Sequence, residues 1–165
     1  MSILQDIADI QGECKAHGNL GAVHLSLGNY INAMKCYQEQ LHSARELKSE
    51  PLLESQAHGN LGLAKLSLGR HEEAIGCFEQ QLAAIEQVFS PSAPPSLVLE
   101  KGRAHGNLGT CYDSLGDYEE AVKCLEQFLA LSLKQKAVKD QDRAYRQLGV
   151  AHKNLGNLQQ ALVIQ

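Results

Sequence analysis

The stretch Ala16-His17-Gly18-Asn19-Leu20-Gly21 recurs unchanged at Ala57–Gly62 and Ala104–Gly109, and in altered form as Ala144-Tyr145-Arg146-Gln147-Leu148-Gly149. The four alanines lie 41, 47 and 40 residues apart. Self-similarity at such a period marks a repeat array, in which each copy is one supersecondary unit that stacks on its neighbours. Each copy continues with the same punctuation: Leu27-Gly28-Asn29, Leu68-Gly69-Arg70, Leu115-Gly116-Asp117 and Leu155-Gly156-Asn157. An alanine follows at Ala33, Ala74, Ala121 and Ala161, and three copies then present Tyr37, Phe78 or Leu125.

The apolar spacing fixes the local structure. Ala16, Leu20, Val23 and Leu27 are separated by 4, 3 and 4 residues, one stripe of a helix. The same stripe returns as Ala57, Leu61, Ala64, Leu68, then Ala104, Leu108, Cys111, Leu115, then Ala144, Leu148, Ala151, Leu155. Gly28, Gly69, Gly116 and Gly156 are placed to end these helices in the left-handed conformation. Asn29, Asp117 and Asn157 are suitable N-caps for a second helix, and Asp117 with Glu120 has the spacing of a capping box. Arg70 departs from this pattern.

The sequence therefore predicts an all-α chain of antiparallel helical hairpins, with helices near 10–27 and 30–48, 52–68 and 71–89, 97–115 and 118–136, and 140–155 and 158–165. As an array over 1–165, the repeats span 10–48, 51–89, 97–136 and 140–165, the last truncated and without cover for Leu158, Leu162 and Ile164. A surface loop at 90–96, rich in proline, absorbs the longer second spacing. Gly21, Gly62, Gly109 and Gly149 fall inside helices, where glycine costs about 1 kcal/mol relative to alanine. That cost is tolerable where a side chain would collide with the partner helix, and Ala33, Ala74, Ala121 and Ala161 are the expected facing residues.

Composition narrows the function. Aromatic residues make up 5% and there is no Trp, so the core is built mostly from small and aliphatic side chains. A net charge of −4 argues against nucleic acid, and no apolar run reaches the roughly 20 residues that span a bilayer. The start of the chain lacks the basic and apolar segments of a secretory signal. Cys14, Cys36, Cys77, Cys111 and Cys124 are an odd set without a CxxC pair, as in a reduced cytosolic or nuclear protein. Three of them follow a repeat alanine by three residues and read as packing residues. His17, His58 and His105 recur at the repeat period, one per hairpin, without the convergence that a metal requires. No catalytic arrangement and no cofactor motif can be assembled, so neither enzyme activity, metal nor cofactor is expected.

The pattern of Leu20-Gly21, His24, Ala33 and Tyr37, matched by Leu108-Gly109, Tyr112, Ala121 and Leu125, resembles the tetratricopeptide repeat over nearly the whole chain. The period near 40 exceeds the usual 34 or so and the closing proline is missing, features that look like the Pins/LGN type of the family. The resemblance implies a right-handed α-solenoid superhelix, a concave groove lined by the first helices, and extended peptides as ligands in spindle, polarity or motor assemblies. It also implies a cytoplasmic, cytoskeleton-associated setting. Chaperone-tail clamps in this family carry a Lys three residues before the signature Gly and an Asn after it. Here Gly18, Gly59, Gly106 and Arg146 hold the first place, and Ala22, Leu63, Thr110 and Val150 the second, so a co-chaperone role is not expected.

By the same resemblance the groove stripe is Lys15, Asn19, Ala22, Ser26, repeated as Gln56, Asn60, Leu63, Ser67, then Arg103, Asn107, Thr110, Ser114, then Arg143, Gln147, Val150, Asn154. Asn19, Asn60, Asn107 and Gln147 form a ladder of amides able to pair with a peptide backbone, and Lys15, Arg103 and Arg143 make the stripe locally basic. An extended, partly acidic partner peptide is the expected ligand. Two other readings stay open: the amides bridge neighbouring repeats, or the array is a structural spacer or homo-oligomer segment. Ser90-Pro91 in the loop has the form of a proline-directed phosphorylation site.

Overall fold

A computed structural model describes residues 2–48 and 50–164, with the backbone alone of Ile164. Among the described residues there are seven helices and no strand: α1 (Ile3–Ser26), α2 (Tyr30–Glu46), α3 (Pro51–Ser67), α4 (His71–Glu86), α5 (Pro95–Ser114), α6 (Tyr118–Lys134) and α7 (Val138–Ile164). They form two compact units, Met1–Phe89 and Ser90–Gln165. In the first unit α1 packs on α2, α2 on α3 and α3 on α4; in the second α5 packs on α6 and α6 on α7.

The hairpins close where the repeated punctuation places them. Gly28, Gly69 and Gly116 adopt φ of +79°, +75° and +83°. The reversal lets the next amide reach back, with Asn29, Arg70 and Asp117 donating to the carbonyls of His24, Lys65 and Tyr112 at 2.8, 2.9 and 2.9 Å. The second helices are capped unevenly. Asp117 accepts from the Glu120 amide at 3.4 Å, whereas Asn29 and Arg70 make no side-chain cap. Ser2 caps α1 by accepting from Gln5, which starts that helix seven residues earlier than the apolar stripe alone indicates.

The interior glycines are notches. A Cβ on Gly21 would lie 2.5 Å from the Tyr37 ring, one on Gly62 2.6 Å from Phe78, and one on Gly109 2.6 Å from Leu125. The occupant of each notch is thus the large residue four positions after the repeat alanine; the alanines Ala33, Ala74 and Ala121 are themselves fully buried. The first glycine of each motif is also a notch, since a Cβ on Gly18, Gly59 or Gly106 would meet Gln40, Gln81 or Phe128 at 2.7, 2.5 or 2.6 Å. Two glycines one turn apart admit two partner side chains, and this is what the hexapeptide is for.

Two expectations need correction. The fourth Leu-Gly-Asn does not break its helix: α7 runs unbroken from Val138 through Gly156, so Asn157 caps nothing and Ala161 is exposed. Nothing lies within 4 Å of where a Cβ on Gly149 would stand, because no second helix folds back over it. Leu158 and Leu162 are exposed, while Gln165 and the Ile164 side chain lie outside the described residues. The second correction concerns the apolar stripe. Ala57, Leu61 and Ala64 share a core with Ala33, Tyr37, Leu41 and Ala44 of α2, and Ala144, Leu148 and Ala151 with Ala121, Leu125 and Phe128 of α6. Among the described residues no helix covers the stripe of α1: Ala16 is exposed and Leu20, Val23 and Leu27 are 50%, 54% and 69% exposed. Burial of the stripe is a property of the neighbour, not of the helix.

Candidate functional site

In the first unit the groove stripe surrounds an open cavity of about 510 Å³. Lys15 and Asn19 enter from α1, Gln56 and Asn60 from α3, and the buried Gln40 of α2 forms part of the lining. Gly18 and Ala22 leave the α1 side low, a consequence of the glycine notch that admits Gln40. Asn60 Nδ2 donates to Gln40 Oε1 at 3.2 Å, and Gln11 Nε2 donates to Glu50 Oε1 at 2.7 Å at one edge. Among the described residues nothing bonds to the side chains of Lys15, Asn19 or Gln56. The charges lining the cavity are one lysine and one glutamate, Lys15 and Glu50, so it is less basic than the stripe alone indicates.

In the second unit the polar groups of the equivalent stripe are bonded to each other, beside a smaller cavity of about 190 Å³ lined by Thr110, Asp113, Gln147 and Val150. Arg103 Nε donates to Asp140 Oδ2 at 3.1 Å, and Arg143 Nη2 to Asn107 Oδ1 at 2.8 Å. Gln147 Nε2 donates to Thr110 Oγ1 at 2.8 Å and Asn154 Nδ2 to Asp113 Oδ1 at 3.1 Å. These four bonds join α5 to α7 rung by rung. The Arg143 guanidinium lies 5.2 Å from the centre of the Phe128 ring, a cation–π stack, and burial holds its pKa below the ordinary value against the pull of Asp140. Bonded in this way, Arg103, Asn107, Arg143 and Gln147 hold repeats together.

Register explains the contrast. Counted from the repeat alanines, the four rungs of the second unit correspond in the first to Lys15 with Leu53, Asn19 with Gln56, Ala22 with Asn60, and Leu25 with Ser67. Lysine faces leucine where arginine faces aspartate, and alanine replaces the threonine that receives the glutamine. Three of the four rungs cannot form, and Asn60 turns to Gln40 instead. Thr110 lies in the stripe, but Asp140, Asp113 and Gln40 escape a reading of single stripes. Comparing adjacent copies for complementary partners in register finds the two aspartates.

His58, from the second hexapeptide, is 5% exposed and lies 3.5 Å from Glu54, which also approaches Arg45 at 3.5 Å. Burial holds the imidazole pKa below its ordinary value of 6.5, outweighing the upward pull of Glu54. A lowered folded-state pKa means the unfolded chain binds the proton more readily. Stability contributed by neutral His58 is therefore present above about pH 6.5 and is lost as pH falls from there through the folded-state pKa. The urea midpoint should fall more steeply between pH 7 and 5.5 or so for the wild type than for His58→Gln. Equal slopes would assign the pH dependence elsewhere.

Of the remaining candidates, Cys77 and Cys124 are buried, Cys36 is half-buried, and burial pushes the Cys14 and Cys77 thiols up. Ser90 is exposed and its hydroxyl lies 3.1 Å from that of Ser92. Among the described residues no group of three or more His, Cys, Asp or Glu side chains could hold a metal ion, and no helix is long and apolar enough to cross a membrane.

The family model described as "Tetratricopeptide repeat" matches residues 12–87 and, overlapping, 53–134. The chain belongs to the tetratricopeptide repeat family. Domains of this family generally mediate protein–protein interactions, and the fold is typically a non-enzymatic interaction module. The tetratricopeptide domain of Arabidopsis FLU is similar, with 26% identity and a TM-score of 0.65 over 73% of this chain and 95% of that one. The TPR2B domain of yeast Sti1, solved in complex with pHsp70, has 16% identity and a TM-score of 0.68 over 86% of this chain and 97% of that one. The first repeat domain of Spaghetti (RPAP3), bound to the HSP90 peptide SRMEEVD, has 17% identity and a TM-score of 0.67 over 88% and 94%. No curated protein matches the chain.

Proposed function

We propose that the chain is a non-enzymatic interaction module whose first unit binds an extended segment of a partner protein. The observation that carries this reading is the asymmetry of one stripe. Its polar groups are bonded to each other between α5 and α7, while Lys15, Asn19 and Gln56 stand unbonded around an open cavity. Amides that neither pair internally nor bury can exchange water for a peptide backbone at little desolvation cost. In register Lys15 corresponds to Leu53 rather than to an acid, and the one glutamate of the lining, Glu50, accepts from Gln11, so the matching ligand carries a carboxylate beside Lys15. Two structurally similar domains are solved with partner ligands, the HSP90 peptide and pHsp70. The clamp positions that the family resemblance implies for chaperone-tail binders are held here by Gly18 and Ala22, which supports a different peptide class.

The finer assignment belongs to the same proposal. The long period and the repeated Gly-Asn-Leu-Gly support membership of the Pins/LGN-like type, of which tetratricopeptide repeat protein 28 is a multi-repeat scaffold that the chain resembles. A cytoplasmic site in a cytoskeletal, spindle or cell-division assembly follows from that resemblance, with Ser90 as a phosphorylation site in the loop. The exposed stripe Leu20, Val23 and Leu27 favours a second reading, self-association or a spacer role within a larger protein.

An array of acidic peptides tests the proposal. The best binder should lose about tenfold in affinity with Lys15→Ala plus Asn19→Ala, roughly the worth of one charge-assisted contact, while the melting temperature stays within error. Unchanged affinity overturns the groove assignment. Concentration-dependent dimers in sedimentation, weakened by Leu20→Ser and Val23→Ser, would favour the second reading.

A further inference from the structure

We infer that the turn between α6 and α7 docks on an anionic lipid surface, with Lys134, Lys136 and Lys139 on the headgroups and Leu133 and Val138 between them. This surface lies wholly in the second unit and is independent of the peptide groove of the first. The stretch 133–139 holds three exposed lysines and two exposed aliphatic side chains, Leu133 at 48% and Val138 at 74%. Among the described residues none of the three lysine side chains makes an ion pair or a hydrogen bond. The two carboxylates that follow are already engaged: Asp140 accepts from Arg103 at 3.1 Å, and Asp142 lies 3.8 Å from Arg146. The turn is thus a positive patch on a chain whose net charge is −4.

The needs of the fold do not account for these residues. Lys136 has a φ of +54°, the left-handed conformation that closes α6 by letting the Lys136 and Ala137 amides donate to the Leu133 and Ser132 carbonyls at 3.1 and 3.0 Å. The other helices that close in this conformation use glycine, at Gly28, Gly69 and Gly116, which has no Cβ to strain it. Lys139 stands in the first turn of α7, where the helix dipole disfavours a cation. Val138, the first residue of that helix, leaves its side chain in water. Lys134, in the last turn of α6, is the one lysine that the dipole favours. Residues held against local preference point to a use outside the fold. Five exposed side chains on one turn can meet a flat surface together. At a bilayer interface aliphatic side chains enter between the headgroups while lysines reach the phosphates. Each lysine near an anionic surface strengthens binding by about fivefold, and salt screens the acidic remainder of the chain beyond about 10 Å.

The test is co-sedimentation of the full chain with vesicles of phosphatidylcholine containing phosphatidylserine, set against vesicles of phosphatidylcholine alone. The expected result is partitioning onto the anionic vesicles that weakens with added salt and falls about fivefold in Lys136→Gly and again in Lys139→Gln. Lys123→Gln, at an exposed lysine of α6 outside the turn, should leave it unchanged. The urea midpoint should rise in Lys136→Gly, which relieves the left-handed lysine, so that weaker binding cannot come from a weaker fold. Val138→Ser should weaken partitioning at unchanged stability. Equal partitioning onto the two kinds of vesicle overturns the inference, as do equal losses in Lys123→Gln and Lys136→Gly. A lowered midpoint in Lys136→Gly would assign the lysine to the fold and overturn it too. Poly-glutamate bound through the same lysines while the vesicles are not would assign the turn to an acidic protein partner instead.

Discussion

Phe78→Ala should lower the stability of the first unit by about 3–5 kcal/mol, measured by urea denaturation. The ring is fully buried and is the side chain that fills the Gly62 notch, so its removal leaves a cavity that helix glycines cannot close. The informative measurement is the pair. Gly62→Ala alone gains about 1 kcal/mol of helix propensity but drives a Cβ into the ring, an overpacking penalty of about 1–3 kcal/mol. In the wild-type background it should destabilise; in the Phe78→Ala background it should stabilise by up to about 1 kcal/mol. The same sign in both backgrounds would mean that the ring does not dictate the glycine. Leu125 and Gly109 form the same pair with a backbone carbonyl, that of Ala121, 3.4 Å from the added Cβ, so relief there should be less complete.

Arg143→Ala is expected to destabilise the second unit by about 2–4 kcal/mol, the sum of an orphaned buried acceptor and a lost cation–π stack. Asn107 is 9% exposed and its Oδ1 is the acceptor of the Arg143 Nη2 proton, so the substitution leaves a carbonyl without its donor. Arg143→Lys should not restore stability, because one ammonium cannot both sit over the Phe128 ring and reach Asn107. Asn107→Ala added to Arg143→Ala should cost little more, the mark of a shared network. Gln56→Ala, at the equivalent position of the first unit, should change stability by less than about 0.5 kcal/mol. Comparable losses at Gln56 and Arg143 would remove the distinction between a bonded and an open stripe.

The hairpins were legible because their signals are local. A left-handed glycine and a 4-3-4 stripe act within one or two turns, and Gly28, Gly69 and Gly116 obey them. What escaped depends on groups distant in sequence. The stripe of α1 is as apolar as that of α3, but only α3 lies beneath a preceding helix, so Leu61 is 6% exposed and Leu20 50%. Gly156 carries the right residues to end a helix, yet α7 continues through it. The stripe read as a groove lies on α1, α3, α5 and α7, and which of its residues pair depends on the opposite copy. Lys15 and Arg103 are equivalent along the chain and differ because Arg103 bonds to Asp140, whose place in the register of the first unit is held by Leu53.

The order of helix packing has a kinetic side. In the first unit α1 touches α2 and α3, α2 touches α3, and α3 touches α4; in the second, α5, α6 and α7 all touch one another. Closing each hairpin needs only a three-residue turn, so little loop entropy is lost before contacts form. Low contact order of this kind places folding in the microsecond-to-millisecond range, with any hairpin able to start and its neighbours to follow. The notched glycines sharpen the sequence of events: Phe78 finds its seat on Gly62 within one hairpin, whereas the α5–α7 rungs must wait until α6 has brought its two flanking helices into register.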